Sequence, residues 1–231
     1  MQSLFITGTD TGVGKTVLAA SLYALCRAQG INAIPMKPVQ TGCVKKAGKW
    51  IAPDIEFCLS MSMFKPLGEE MKHIAPYQFE PACSPHLAAQ KDSAAIDIEY
   101  IVKCFQTLTA RYDTVLVEGA GGVLVPLSEN KTMLDLMIAL KLPVLLAARP
   151  GLGTLNHTLL SIKALRHYNV FIKGVVFIET GPVAHGFIEE ENIRMIEKLG
   201  QIPVYGPLPY MENLASGTIE ACHVTALFDV L

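Results

Sequence analysis

The residue types best suited to chemistry in this chain begin near its start, in Ile6-Thr7-Gly8-Thr9-Asp10-Thr11-Gly12-Val13-Gly14-Lys15-Thr16-Val17. A glycine loop followed by Gly-Lys-Thr is a phosphate cradle. Its backbone N–H groups and the helix after it face phosphate oxygens, the lysine reaches the terminal phosphate, and the threonine hydroxyl suits Mg²⁺. The usual pattern places a glycine six residues before the lysine, where this chain has Thr9; the first glycine, Gly8, lies one residue further back. An apolar run before the loop and an Ala/Leu-rich helix after it supply the context that the motif requires.

Five further stretches carry groups that merit a chemical reading. Lys37-Pro38-Val39-Gln40-Thr41-Gly42 closes a second apolar run; Lys37 is either a solvated charge or a second ammonium able to stabilise a transferred phosphoryl group. Asp54 follows Pro53 and fits two roles, helix N-cap or Mg²⁺ ligand, between which spacing does not choose. Val117-Glu118-Gly119-Ala120-Gly121-Gly122 delivers one carboxylate at the end of a buried run, a position that binds Mg²⁺ directly or through water in P-loop proteins. Gly151-Leu152-Gly153-Thr154-Leu155-Asn156-His157 reads equally as an ordinary strand-to-helix loop and as an anion cradle. Ser84-Pro85-His86 looks like a helix start, with Ser84 as the cap and His86 more a structural than a ligand-binding histidine.

These groups need a scaffold. Apolar runs at Leu4–Ile6, Ala33–Met36, Thr114–Val117, Val144–Ala147, Ile172–Phe177 and Val204 alternate with helical patterns. The helices are expected over Thr16–Gln29, Asp54–Ser60, Pro85–Gln90, Ala95–Ala110, Met133–Leu140, Thr154–His167, His185–Leu199 and Thr218–Val230. Continuously apolar strands indicate a sheet covered on both faces. The alternation then predicts an α/β fold: a P-loop NTPase-like, doubly wound, mostly parallel sheet flanked by helices on both faces. Ligands in such sheets bind beyond the strands' C-terminal ends, where the residues above fall.

With 231 residues, 51% of them hydrophobic, and a mean hydropathy of +0.35, one large domain over 1–231 is expected. No apolar run approaches the ~20 residues of a bilayer span, and no leader pattern precedes the first strand, so a cytoplasmic location is expected. Six scattered cysteines with no Cys-x-x-Cys pair argue against a zinc site or a disulfide framework. A net charge of −2 without a basic block excludes nucleic acid as an expected partner and leaves a small nucleotide.

Taken in order, the P-loop, Lys37-Pro38-x-x-Thr41-Gly42, Asp54, Ser84-Pro85-His86, Val117-Glu118-Gly119-Ala120-Gly121-Gly122 and Gly151-Leu152-Gly153-x-x-Asn156-His157 resemble the dethiobiotin synthetases. The resemblance implies an ATP- and Mg²⁺-dependent cyclo-ligase that closes the ureido ring of 7,8-diaminononanoate (7,8-diaminopelargonate) with CO2 in biotin biosynthesis. It implies catalytic roles for Lys15 and Lys37, and Mg²⁺ ligands Thr16, Asp54 and Glu118. Nucleotide contacts follow from Gly12, Val13, Gly14, Lys15, Thr16, Val17, Asp54, Glu118, Gly119, Ala120, Gly121, Ile178, Glu179, Pro207, Leu208 and Pro209. Substrate contacts follow from Thr11, Lys37, Thr41, Gly153, Thr154 and Asn156, the last three donated by a neighbouring subunit of a homodimer.

Three positions depart from the family pattern. Gly12 stands where some members carry an acidic residue, and Thr41 where others have serine. Ile178-Glu179 replaces the Asn-Asp whose amide reads the adenine edge, so that selection is lost at this position. The rival classes are the partition and septum-positioning switch ATPases, which carry a lysine where this chain has Asp10, and the cobyrinate-amidating synthetases, which need a glutaminase domain.

Overall fold

The computed structural model describes residues 2–46, 48–182, 186–211 and 227, without the side chain of Lys49. Its centre is a six-stranded sheet built from β1 (Leu4–Gly8), β2 (Ala33–Met36), β7 (Thr114–Gly122), β8 (Val144–Ala148), β9 (Ile172–Ile178) and β10 (Val204–Leu208). The spatial order is β10-β9-β8-β1-β7-β2 and every pairing within it is parallel. Strand order therefore reverses at β1, where the P-loop leaves the sheet, and that is where an open parallel sheet leaves a crevice.

All five residues of β1 and all five of β8 are buried. Because successive side chains point to opposite faces, this continuous burial needs a packed layer on each side. One layer takes Phe5, Val115, Val117, Leu146, Val175 and Phe177. Against it lie α5 (Ile98–Thr109), α6 (Met133–Leu140), α7 (Thr154–His167) and α8 (Phe187–Gly200), through Ile101, Leu136, Ile162 and Ile196. The other takes Leu4, Ile6, Leu116, Leu145, Val176 and Ile178 under α1 (Lys15–Ala28) and α2 (Pro53–Ser60). Leu18 and Leu22 of α1 are fully buried, each contributing about 1.5–3 kcal/mol. The doubly wound reading of the sequence holds.

Most helices begin and end within three residues of their expected bounds. α5 starts at Ile98 rather than Ala95 because Asp97 caps it, its carboxylate accepting the Glu99 N–H at 2.8 Å. The expected helix Thr218–Val230 lies outside the described residues, apart from Leu227. β7 departs most: it runs through Glu118 to Gly122 instead of ending at Val117, because β1 continues to pair with it as far as Gly8 opposite Gly122.

Four short strands escape any periodicity argument. β3 (Val39–Thr41) pairs in parallel with β6 (Tyr77–Phe79), while β4 (Val44–Lys46) and β5 (Lys49–Ile51) form an exposed hairpin. α3 (Met71–Ile74) and α4 (Pro85–Lys91) flank β6. Three residues hold too little pattern to separate strand from turn. Their pairing lays Gln40 and Thr41 beside the site.

Candidate active site

Gly14 sets the entry to α1. It occupies the helix N-cap in left-handed backbone, φ 87° and ψ 18°, which L residues with a side chain adopt only at a cost. A Cβ there would also lie 2.6 Å from Ile178 Cγ2. The loop thus needs glycine for two reasons, backbone and neighbour. Lys15 follows directly, its ammonium donating to the Asp10 carbonyl at 2.8 Å across the loop. Burial first, then the nearby Lys37 charge, bring the Lys15 ammonium down to about 8.

Three elements far apart in sequence meet behind the loop. Lys37 follows β2 and is buried; its ammonium lies 2.7 Å from Asp54 Oδ2 and 2.7 Å from Glu118 Oε1, and donates to the Gly119 carbonyl at 3.2 Å. Thr16 Oγ1 donates to the same Glu118 Oε1 at 2.8 Å. Burial works against the Lys37 charge, but Glu118 and Asp54 outweigh it and hold its pKa above the ordinary lysine value. The ammonium is thus a buried cation with two anionic partners.

The structure removes one of the two roles open to Asp54, that of helix cap. The N-cap of α2 is Ala52, and no side chain caps that helix. The Asp54 carboxylate reaches Lys37, while its backbone N–H donates to Gln40 Oε1 at 3.3 Å. Gln40, absent from the expected site, therefore places the turn that carries Asp54. Its signal in the sequence was its position between Lys37 and Thr41, on the strand that leaves the site.

A cavity of about 470 Å³ opens over this cluster. It is lined by Thr11, Gly12, Gly14, Lys15, Thr16, Val17, Lys37, Gln40, Thr41, Asp54, Glu118, Ala120, Gly121, Ile178, Glu179 and Pro209, together with Val39, Thr180, Tyr210 and Met211. Most of the expected nucleotide-side residues thus share one wall. Four do not present side chains to it. Val13 is buried in the core, Gly119 contributes its carbonyl to Lys37, Leu208 is fully buried, and Pro207 lies within β10. Ile178 is itself almost wholly buried against the loop at Gly14. Glu179 closes the far end, its carboxylate accepting the Tyr210 N–H at 3.3 Å.

The Gly153–Asn156 stretch falls elsewhere. Gly153 caps α7 in left-handed backbone with φ 91°. Thr154 is buried and shares a hydrogen bond with Thr158 at 3.1 Å. A smaller cavity of about 230 Å³ there is bounded by Arg149, Thr154, His157 and Glu189, and meets the first at Glu179 and Thr180. Asn156 is exposed and lines neither cavity. His86 is half-buried and lies apart from both, on α4.

The phosphate loop at the sheet's reversal point, with lysine and carboxylates converging behind it, defines a P-loop NTPase-like protein. A family model described as an AAA domain matches residues 2–218. The chain is 38% identical to an ATP-dependent dethiobiotin synthetase of Anoxybacillus flavithermus, covering 93% of this chain and 95% of that one. It is 37% identical to the corresponding protein of Lysinibacillus sphaericus, over 100% of this chain and 97% of the other. The chain belongs to the ATP-dependent dethiobiotin synthetase family. Among solved structures, MinD of Pyrococcus horikoshii superposes with a TM-score of 0.59 at 15% identity, covering 94% of this chain and 85% of that one, a likeness of fold alone.

Proposed function

We propose that this chain converts 7,8-diaminononanoate, CO2 and a nucleoside triphosphate into dethiobiotin, nucleoside diphosphate and phosphate, acting as a single-domain cytoplasmic homodimer. The observation that carries the proposal is the meeting of Lys37, Asp54, Glu118 and Thr16 behind Lys15, because ring closure asks the protein for charge neutralisation and alignment rather than covalent chemistry. One substrate amine adds to CO2 and loses a proton, giving a carbamate. The carbamate oxygen attacks the γ-phosphorus as the P–O bond to the diphosphate breaks, leaving a carbamic–phosphoric anhydride. The second amine attacks the carbonyl carbon, phosphate departs and a proton is released.

In this reading Lys15 holds the γ-phosphate, and Lys37 offsets charge on the carbamate and on the transferred phosphoryl group. Thr11 and Thr41 hold the amine end of the substrate. The Gly153–Asn156 turn of the second subunit receives the substrate carboxylate at a helix N-terminus. Thr16, Asp54 and Glu118 fit Mg²⁺, since all three offer hard oxygen donors: the two carboxylates meet at the Lys37 ammonium, and the Thr16 hydroxyl lies 2.8 Å from Glu118 Oε1. When bound, Mg²⁺ supplies neutralisation of β- and γ-phosphate charge.

Product detection by mass spectrometry tests the reaction. Dethiobiotin should form only when diamine, bicarbonate, Mg²⁺ and nucleotide are all present; its absence with every nucleotide, from folded protein, would return the chain to the switch ATPases. The same assay ranks nucleotides. With Ile178 turned into the loop, no side-chain amide reads the base there, so discrimination among nucleotides should be weak or altered, with CTP and GTP supporting turnover beside ATP. A strict preference for ATP would refute that part.

Glu118→Gln keeps the shape of the carboxylate and removes its charge. It should raise the Mg²⁺ concentration needed for half-maximal turnover by about tenfold or more, as loss of one charged ligand from a hard-cation site implies. An unchanged metal titration would reassign Glu118 to structure.

A further inference from the structure

We propose that the Lys37 ammonium and the divalent cation compete for one place between Asp54 and Glu118, so that metal binding frees Lys37 toward the reacting groups. The inference rests on the magnesium reading above and adds an order of events to it. All three N–H donors of Lys37 are committed inside the protein, to Asp54 Oδ2, Glu118 Oε1 and the Gly119 carbonyl. Tied in this way, the ammonium has no donor left for a carbamate or a phosphoryl oxygen.

The same oxygens are those that the metal needs. Glu118 Oε1 already accepts from Lys37 and from Thr16, whose hydroxyl is the third oxygen of the candidate metal set. Mg²⁺ binds oxygen at about 2.0–2.1 Å. An ion on Asp54 Oδ2 and Glu118 Oε1 would therefore stand less than about 5 Å from an ammonium 2.7 Å from each of them. In a buried position that repulsion is poorly screened.

One cation therefore has to give way. Lys37 can do so, because a lysine side chain has more rotatable bonds than either carboxylate and Lys37 lines the 470 Å³ cavity with Gln40, Thr41 and Ala120. Its two roles alternate: it neutralises two carboxylates until the metal takes them, then becomes a free donor in the cavity. The arrangement couples loading of the metal to readiness for phosphoryl transfer.

The test reads metal affinity, not turnover. Mn²⁺ binding is measured by electron paramagnetic resonance for wild type and for Lys37→Met, without nucleotide and with a non-hydrolysable ATP analogue. Removing the competing charge should tighten Mn²⁺ binding to the nucleotide-free variant by about tenfold or more, even though the variant is catalytically impaired. Equal or weaker affinity in a folded variant overturns the competition. No Mn²⁺ binding by wild type even with the analogue overturns the magnesium reading and the inference with it. A measurement on wild type covers a variant that does not fold: the lysine ammonium ¹⁵N resonance of Lys37 should move or lose its exchange protection as Mg²⁺ is added, and an unmoved resonance at saturating metal overturns the proposal.

Discussion

Lys37→Met lowers turnover by about 10²–10³-fold, the scale seen when one preorganised donor to a developing charge is removed. The physical cause is the loss of the one ammonium placed between the substrate side of the cavity and the two carboxylates. The same change reaches stability. Glu118 is buried, and taking away the cation beside it leaves the carboxylate to be neutralised by a proton or by a metal, a defect of about 3–5 kcal/mol when a buried pair loses one partner. Turnover is therefore compared at a temperature where a melting curve shows the variant folded. Activity within threefold of wild type under those conditions would remove Lys37 from the chemistry, whatever it does for stability.

Gly14→Ala weakens nucleotide binding by about ten- to a hundredfold. Left-handed backbone at a residue with a side chain costs roughly 1–2 kcal/mol, and each 1.4 kcal/mol is tenfold in affinity. The new methyl also meets Ile178 Cγ2 at 2.6 Å, so either the loop or Ile178 moves. Titration with a non-hydrolysable ATP analogue measures the loss. Gly14→Ala combined with Ile178→Ala removes that methyl contact and leaves the backbone cost, so affinity should return in part. Full affinity in the single variant would show that the loop tolerates both strains and that its geometry is not what holds phosphate.

The structures of MinD superpose over most of this chain. That likeness, at 13–15% identity, speaks for the sheet and the loop, not for what the site does. In this chain the start of the loop holds Asp10, whose carbonyl accepts from the Lys15 ammonium at 2.8 Å.

The chain by itself determined the parts that depend on near neighbours. Gly8, Gly14, Lys15 and Thr16 declare a phosphate loop because turn geometry, helix start and ligand groups all sit within a few residues. The buried runs at Leu4–Ile6 and Val144–Ala147 declare a sheet covered on both faces for the same reason, since a strand's environment is written in its own alternation. Lys37 and Glu118 were legible as groups that end apolar runs, and hence as groups at one edge of the sheet; Asp54 was legible only as a carboxylate at a helix start.

Only the tertiary structure decided how those groups use one another. Thr16 and Glu118 are separated by 102 residues and Lys37 and Glu118 by 81, so no local pattern could join them. Asp54 had a complete local explanation as a helix cap, yet the cap is Ala52 and the Asp54 carboxylate, inside the first turn, reaches Lys37. Leu208 lay in a segment assigned to the base, yet its side chain is in the core. Gln40 carried no motif and became visible only when the short parallel pair of β3 and β6 set it against Asp54. Residue types and spacing specify which groups arrive at a sheet edge; which of them touch is set by strand order and register, through contacts that span the whole chain.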